Sequence, residues 1–276
     1  MASDAPVAKL LAHIAACHSA KLPGDRLPFY IGAAQVGYVK PDFAATLARI
    51  SAEITLHPDR ATLAASAAGR LNEIAAAAGS RQRSEDFDVR AEPEGPVVAL
   101  LDRGALPDFG VIGVGAHLNG LVRKPDGLHL WVARRAADKK LDPGKLDHLV
   151  AGGVPAGLTP FETLLKEGEE EANLPAALMR AAKPACRLRY NMERPEGLRR
   201  DLLYAYDLVL PEDFVPHPND GEVESFALWP LTRVLETVSQ TDDFKFNVNL
   251  VLIDLLIRHG LITGPAAATL RAALDG

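Results

Sequence analysis

Three glutamates, Glu167, Glu170 and Glu171, stand at i, i+3 and i+4 of a stretch that reads as a helix. At about 100° per residue they share one arc, beside an apolar arc of Phe161, Leu164, Leu165, Gly168 and Ala172, while Glu169 points elsewhere. Like charges at this spacing repel by about a few tenths of a kcal/mol per pair in a bare helix. A divalent cation with hard oxygen ligands offsets that repulsion, and a solvated acidic face is the other arrangement with the same pattern. Two further groups could join such chemistry. Arg134, Arg135, Lys139 and Lys140 precede the helix, where cations either hold phosphates or remain solvated. Glu222 and Glu224, far downstream, share one face of a strand at period two, which is also what an exposed strand face shows.

The helix that positions the three acids has clear limits. Thr159 is a good N-cap, Pro160 suits the first helical position, and Glu162 completes a capping box. Asn173 fits a left-handed C-cap, and Pro175 stops the helix. Upstream, Gly152, Gly153 and Gly157 read as a flexible loop leading into the helix N-terminus, a geometry suited to anions.

The stretch from Leu146 to Pro175 resembles the Nudix box, Gly-x5-Glu-x7-Arg-Glu-aliphatic-x-Glu-Glu-x-Gly-aliphatic. Gly152 takes the first glycine, Lys166-Glu167 the Arg-Glu pair, Glu170-Glu171 the paired acids and Leu174 the closing aliphatic position. Leu158, Gly168 and Asn173 stand where the pattern has Glu, an aliphatic residue and Gly. The resemblance implies a hydrolase of diphosphate linkages using Mg2+ or Mn2+. It implies Glu167, Glu170, Glu171 and the distal Glu222 as metal ligands, and Glu170 or Glu171 as acceptor of a water proton. Arg134 and Lys139, with Gly152 and Gly153, are then the expected substrate contacts. WVARRAADKKLDPGKLDHLVAGG, LRRDLLYAYDLVLPEDFVPHPNDGEVESF and LVLIDLLIRHGLI are similar to the thiamine-pyrophosphokinase-related Nudix proteins, which carry an N-terminal extension. That likeness implies thiamine diphosphate, or its oxidised forms, as substrate. A nucleotide-sugar or dinucleotide pyrophosphatase and a ligand-sensing module share the same acids. A kinase lacks its Gly-x4-Gly-Lys-Ser/Thr loop here, and an isopentenyl-diphosphate isomerase lacks its cysteine between Leu146 and Gly157.

A chain of 276 residues exceeds one ordinary domain, and a net charge of -6 argues against general nucleic-acid binding. No apolar run of about 18 residues is present, so no membrane span is expected. The first residues have no basic segment ahead of their apolar part and do not read as a signal peptide. Cys17 and Cys186 lack metal-ligand spacing and fit reduced thiols in the cytoplasm. The expected partner is a small-molecule diphosphate, and a homodimer is one open assembly state.

The expected fold is α+β: a Nudix α/β/α sandwich with a mixed sheet over residues 109–276, after a small α+β domain at residues 1–108. In the first domain, Val7 to Cys17 and Pro41 to Ile54 read as helices, and Asp59 to Ala78 as a long alanine-rich one. Pro28 to Val39 reads as two strands, Ser80 to Asp88 as a polar loop and Val97 to Leu101 as a strand. Phe29, Tyr30 and Tyr38 are candidate contacts for a substrate's organic end or core residues; His13, Cys17 and His18 read as helix surface. In the second domain, Val111 to Val122 and Leu128 to Ala133 read as a hairpin around Asp126-Gly127. Its His117 and His129 fit structural histidines. Ala185 to Met192 and Asp201 to Leu210 follow as strands, and Asn247 to His259 as an apolar helix.

Overall fold

The computed structural model describes residues 4–276, with side chains from residue 6 onward. The absence of a signal peptide was read partly from residues 1–3, which lie outside the described residues. Helix α1 (Asp4–Cys17) leads into a small unit of β1 (Leu27–Ile31), β2 (Ala34–Val39), α2 (Pro41–Ile50), β3 (Ile54–Leu56) and β4 (Ala61–Leu63). A 3-10 turn at Ala65–Arg70 follows, then α3 (Leu71–Ala77), β5 (Asp86–Val89), β6 (Ala99–Asp102) and α4 (Leu106–Phe109). The sheet runs β2-β1-β4-β3 over a core that includes Phe29, Leu47, Leu63, Leu71 and Phe109.

The long alanine-rich helix expected over Asp59 to Ala78 does not form as such. Ala61 and Leu63 are buried and pair in parallel with Phe29 and Ile31, so tertiary ladder pairing overrides the high helix propensity of alanine. The helix from Pro41 stops at Ile50, because Ser51 is already extended (φ -132, ψ 122) and starts the turn into β3. The polar loop after α3 is held by the buried carboxylate of Asp102, which accepts the backbone N–H groups of Arg83 (2.8 Å) and Ser84 (2.7 Å). It gives way to strand at Asp86.

The second unit comprises β7 (Ile112–Lys124), β8 (Gly127–Arg135), β9 (Leu146–Asp147), β10 (Val150–Gly153), α5 (Pro160–Ala172) and α6 (Ala176–Met179). It continues with β11 (Lys183–Arg194), β12 (Gly197–Val209), β13 (Val223–Pro230), α7 (Leu231–Gln240), α8 (Val248–Arg258) and α9 (Gly264–Asp275). The mixed sheet runs β11-β12-β7-β8-β13, with β10 on β7 and β9 on β8; β12 and β7 are parallel. Along β8, Leu130 and Val132 enter one core while Trp131 enters the other, as strand alternation requires. One core lies under α5 and α6; the other lies under α7, α8, α9 and also α1, whose Leu10, Ile14 and Cys17 are buried there. The result is the α/β/α sandwich with a mixed sheet expected from the sequence. The first helix thus packs with the last ones, although the small unit separates them along the chain.

Gly152 and Gly153 are not a flexible loop. They close β10, opposite Ala116 and Gly115 of β7. Gly157, at φ +81, is the left-handed position in the turn before α5.

Candidate active site

Local hydrogen bonding places α5. Thr159 and Glu162 form the reciprocal capping box, and Asn173 takes the left-handed conformation (φ 52) that a glycine would otherwise supply. Gly168 is needed for packing: a Cβ there would lie 2.7 Å from the terminal methyl of Met179 on α6. Leu164 and Ala172 anchor the apolar arc, and the acidic arc rises along the edge of β10.

The acids sit in different surroundings. Glu171 is 7% exposed and accepts the Ala151 N–H at 3.1 Å. Burial, aided by the charges of Glu167, Asp147 and Glu222, pushes its carboxyl well above the usual range. Glu167 lies over Gly152, and burial raises its carboxyl too, against the opposing charge of Lys166. Glu170 faces solvent, 2.6 Å from Lys166, which also reaches Glu167 at 3.4 Å. Glu222 comes to the same place from the turn before β13. It is paired with Lys139, and although burial opposes ionisation, Lys139, Arg103 and Arg135 hold its carboxyl below the usual range. The strand-face reading of Glu222 and Glu224 does not hold: Glu222 precedes β13, and the register shifts between Val223 and Ser225.

Beside these acids opens a cleft of about 670 Å³ between the two units. The first unit contributes Arg81, Arg83 and Arg103. The second contributes Lys140, Arg194, Arg199, Arg200 and Lys245. Among the described residues, these eight cations face four carboxylates in the lining, in a chain of net charge -6. Burial and the neighbouring Arg103, Arg81 and Arg199 push the Arg83 guanidinium down, a sign of cations crowded without enough counter-charge. Ala151, Gly152 and Gly153 line the cleft, so it reaches the strand over which Glu167 lies. The units are tied by Arg26 to Glu193 (2.5 and 3.0 Å) and by Arg200 to the Gly110 carbonyl (2.9 Å).

The turn before α5 leans on the first unit. Ala156 N–H donates to the Asp86 carbonyl at 2.7 Å, and Val154 N–H to Val114 at 2.9 Å. Leu158, where the box pattern has Glu, is more than a third exposed.

Arg134 is not brought to the acids. It donates to the Gly144 carbonyl at 2.8 Å, and the alternation of β8 turns Arg135 inward instead. Lys139 reaches the acids through Glu222. Of the cations singled out in the sequence, Lys140 lines the cleft, whereas Arg81, Arg83, Arg103, Arg199 and Lys245 were not singled out there. The two arginines of SRQRSEDFD read there as ordinary loop polarity. Tyr38 lies under the Arg200 guanidinium (4.9 Å), and Phe29 packs on Phe109, so neither is free for a ligand.

Among the described residues, one trio of potential metal donors lies within 4.8 Å of one another, and it is His117, Asp147 and His148 rather than the glutamates. Asp147 is already held by Arg135 (2.8 Å) and Lys245 (3.6 Å), and the two imidazoles bond to each other. That trio is a filled network. The glutamates are the group short of positive charge, and their all-carboxylate donor set fits magnesium or manganese.

The sequence model of the family described as NUDIX domain matches residues 117–248. Residues 117–248 are thus similar to Nudix domains. The Nudix box of this domain keeps its three acids on α5, and the structure accounts for its departures at Gly168 and Asn173. The chain is 44% identical over 180 residues to Nudix hydrolase 20, chloroplastic, of Arabidopsis thaliana, covering 65% of this chain and 48% of that protein. It is 43% identical over 180 residues to Nudix hydrolase 24, chloroplastic, of the same plant, covering 65% and 49%. The chain spans about half the length of the curated relatives it matches. Among solved structures, it is similar to DR0079 from Deinococcus radiodurans, with TM-score 0.46 and 21% identity over 68% of this chain and 99% of that one.

Proposed function

We propose that this chain is a divalent-cation-dependent hydrolase of a diphosphate linkage, with its substrate's phosphates held in the basic cleft between the two units. The observation that carries this reading is the adjacency of opposite charges: a cation-lined cleft ends at Gly152, directly under the carboxylate of Glu167. Glu167, Glu171 and Glu222, with Glu170 at the solvent side, would hold magnesium or manganese. Bound there, the cation supplies charge screening for the diphosphate and acidifies water. Arg83, Arg103 and Arg199 bind and orient phosphate oxygens by charge-assisted hydrogen bonds. Lys139 holds Glu222 toward the acids. Glu170 or Glu171 accepts the water proton.

Thiamine diphosphates are the finer substrate reading, supported by the likeness of three segments. The cleft's charge refines it. A ring that keeps its positive charge is repelled by the cleft cations, so an oxidised analogue with an uncharged ring is the better fit. The surplus of cations also favours a second reading, a nucleotide-sugar or dinucleotide substrate with two charged phosphates and an uncharged remainder.

A substrate panel separates these. Thiamine diphosphate, an oxidised analogue, ADP-ribose, a nucleotide sugar and a dinucleotide are incubated with magnesium or with chelator, and products are followed by phosphorus NMR. Cleavage of the oxidised analogue to its monophosphate, abolished by chelator, is the expected result. Binding of these ligands without any turnover would instead favour a sensing module.

A further inference from the structure

Outside the glutamate cluster, the cleft floor carries one imidazole whose function the diphosphate reading leaves open. His117 on β7 is 3% exposed and lines the cleft. Gly113 and Gly115, on the same strand face, also line it, and a Cβ on Gly115 would lie 3.6 Å from His117 Nε2. The strand is thus bare of side chains up to this ring nitrogen. On the other edge of the ring, His117 Nδ1 lies 2.9 Å from His148 Nδ1, with the rings at 86°. Two imidazole nitrogens at that distance share one proton: one is N–H, the other a lone pair.

The surroundings choose between the two arrangements. Asp147 Oδ1 lies 3.8 Å from His148 Nδ1, and the same carboxylate is held in place by Arg135, Lys245 and the His148 N–H. Its negative charge favours the proton on His148 Nδ1. The opposite arrangement would leave a proton on His148 Nε2, which is buried without a partner. An orphaned buried donor is the costlier outcome. His148 Nδ1–H therefore donates to His117 Nδ1. Both rings are uncharged, since burial lowers both: His148 to about 4, and His117 well below its ordinary value with the help of His148 and Lys245. A neutral His117 that accepts at Nδ1 must carry its proton at Nε2.

We propose that His117 is a substrate-binding residue, its Nε2–H a fixed neutral donor to a non-bridging phosphate oxygen in the cleft, with His148 and Asp147 as positioning residues that set its tautomer. The assignment rests on the diphosphate reading of the cleft. A neutral donor adds a directed hydrogen bond among the cations without adding charge, so it selects how a phosphate is seated more than whether an anion binds.

The test uses the full chain labelled with nitrogen-15, and imidodiphosphate with magnesium as a hydrolysis-resistant probe. Long-range proton–nitrogen correlation should find His117 protonated at Nε2 and His148 at Nδ1, with the His117 Nε2 resonance moving as the probe saturates. His117→Gln, which keeps a donor near the same place, should bind within about threefold of the unmodified chain, and His117→Met should lose about tenfold. His117 protonated at Nδ1, an unmoved resonance at saturation, or His117→Met binding as the unmodified chain does would overturn the assignment. The tautomer measurement needs no variant and stands even where His117→Met fails to fold. If the unmodified chain neither binds the probe nor hydrolyses any diphosphate, the functional reading falls and this assignment with it. If it does both while His117 is untouched, only the assignment falls.

Discussion

Glu167 lies so close over Gly152 that a Cβ at that glycine would sit 2.6 Å from its Cγ and 3.0 Å from its Oε2. The glycine thus sets where the first box carboxylate rests. Gly152→Ala should push Glu167 away from Glu171 and the cleft mouth. Turnover should fall about tenfold to a hundredfold from misplacement alone. Stability should fall by about 1 kcal/mol, because the end of a flexible side chain can yield. A variant with unchanged turnover would show that this placement does not matter.

Glu171 links metal to stability. Its folded-state carboxyl is raised by burial and by the neighbouring acids, so the folded protein holds that proton more tightly than the unfolded chain does. The associated stability is therefore present below the unfolded value near 4.5 and is lost as pH rises through the raised folded value. In chelator, the unmodified chain should melt at progressively lower temperature as pH rises above that value, and Glu171→Gln should escape this part of the decline. Magnesium should restore the unmodified chain at neutral pH and do little for the variant, whose turnover should fall by about two orders of magnitude or more. Equal magnesium stabilisation of both proteins would remove Glu171 from the metal site.

The cleft cations make a salt-dependent prediction. Replacing Arg83 and Arg103 by Gln should raise KM for the cleaved diphosphate about tenfold or more at low salt and flatten its dependence on ionic strength. Arg134→Gln, whose guanidinium serves the Gly144 carbonyl, should leave KM near its original value. If Arg134 proves the more sensitive position, the phosphates lie outside the cleft.

The first helix bears on any attempt to isolate the Nudix half. Leu10 and Ile14 are buried among residues of β11, α7, α8 and α9. Truncation to residues 109–276 uncovers that core and also removes Asp86, which holds the turn before α5. The fragment should melt well below the full chain, and Leu10→Ala in the full chain should cost about 2–5 kcal/mol in denaturant unfolding. A fragment as stable as the full chain would show that α1 contributes no packing of consequence.

What the sequence by itself determined is local. The capping box of Thr159 and Glu162, the left-handed Asn173 and the arc of Glu167, Glu170 and Glu171 all depend on residues within four positions of one another, and each appears in the structure as read. Strand alternation around Asp126-Gly127 likewise marked the β7–β8 hairpin, and the sandwich was implied by the family resemblance. Tertiary structure decided the rest. The start of the alanine-rich stretch, Ala61–Leu63, became a strand because it pairs with β1, which no helix propensity records, while Leu71–Ala77 stayed helical. Arg83, Arg103, Arg199 and Lys245 come from segments far apart in sequence, each an ordinary polar stretch until the two units close around one cleft. Glu222 reached the acids through a bulge and an ion pair with Lys139, not through the period of its strand. Charge acts through space over several ångströms, whereas caps and periodicity act along the chain, so the acidic helix was legible and its basic counterpart was not.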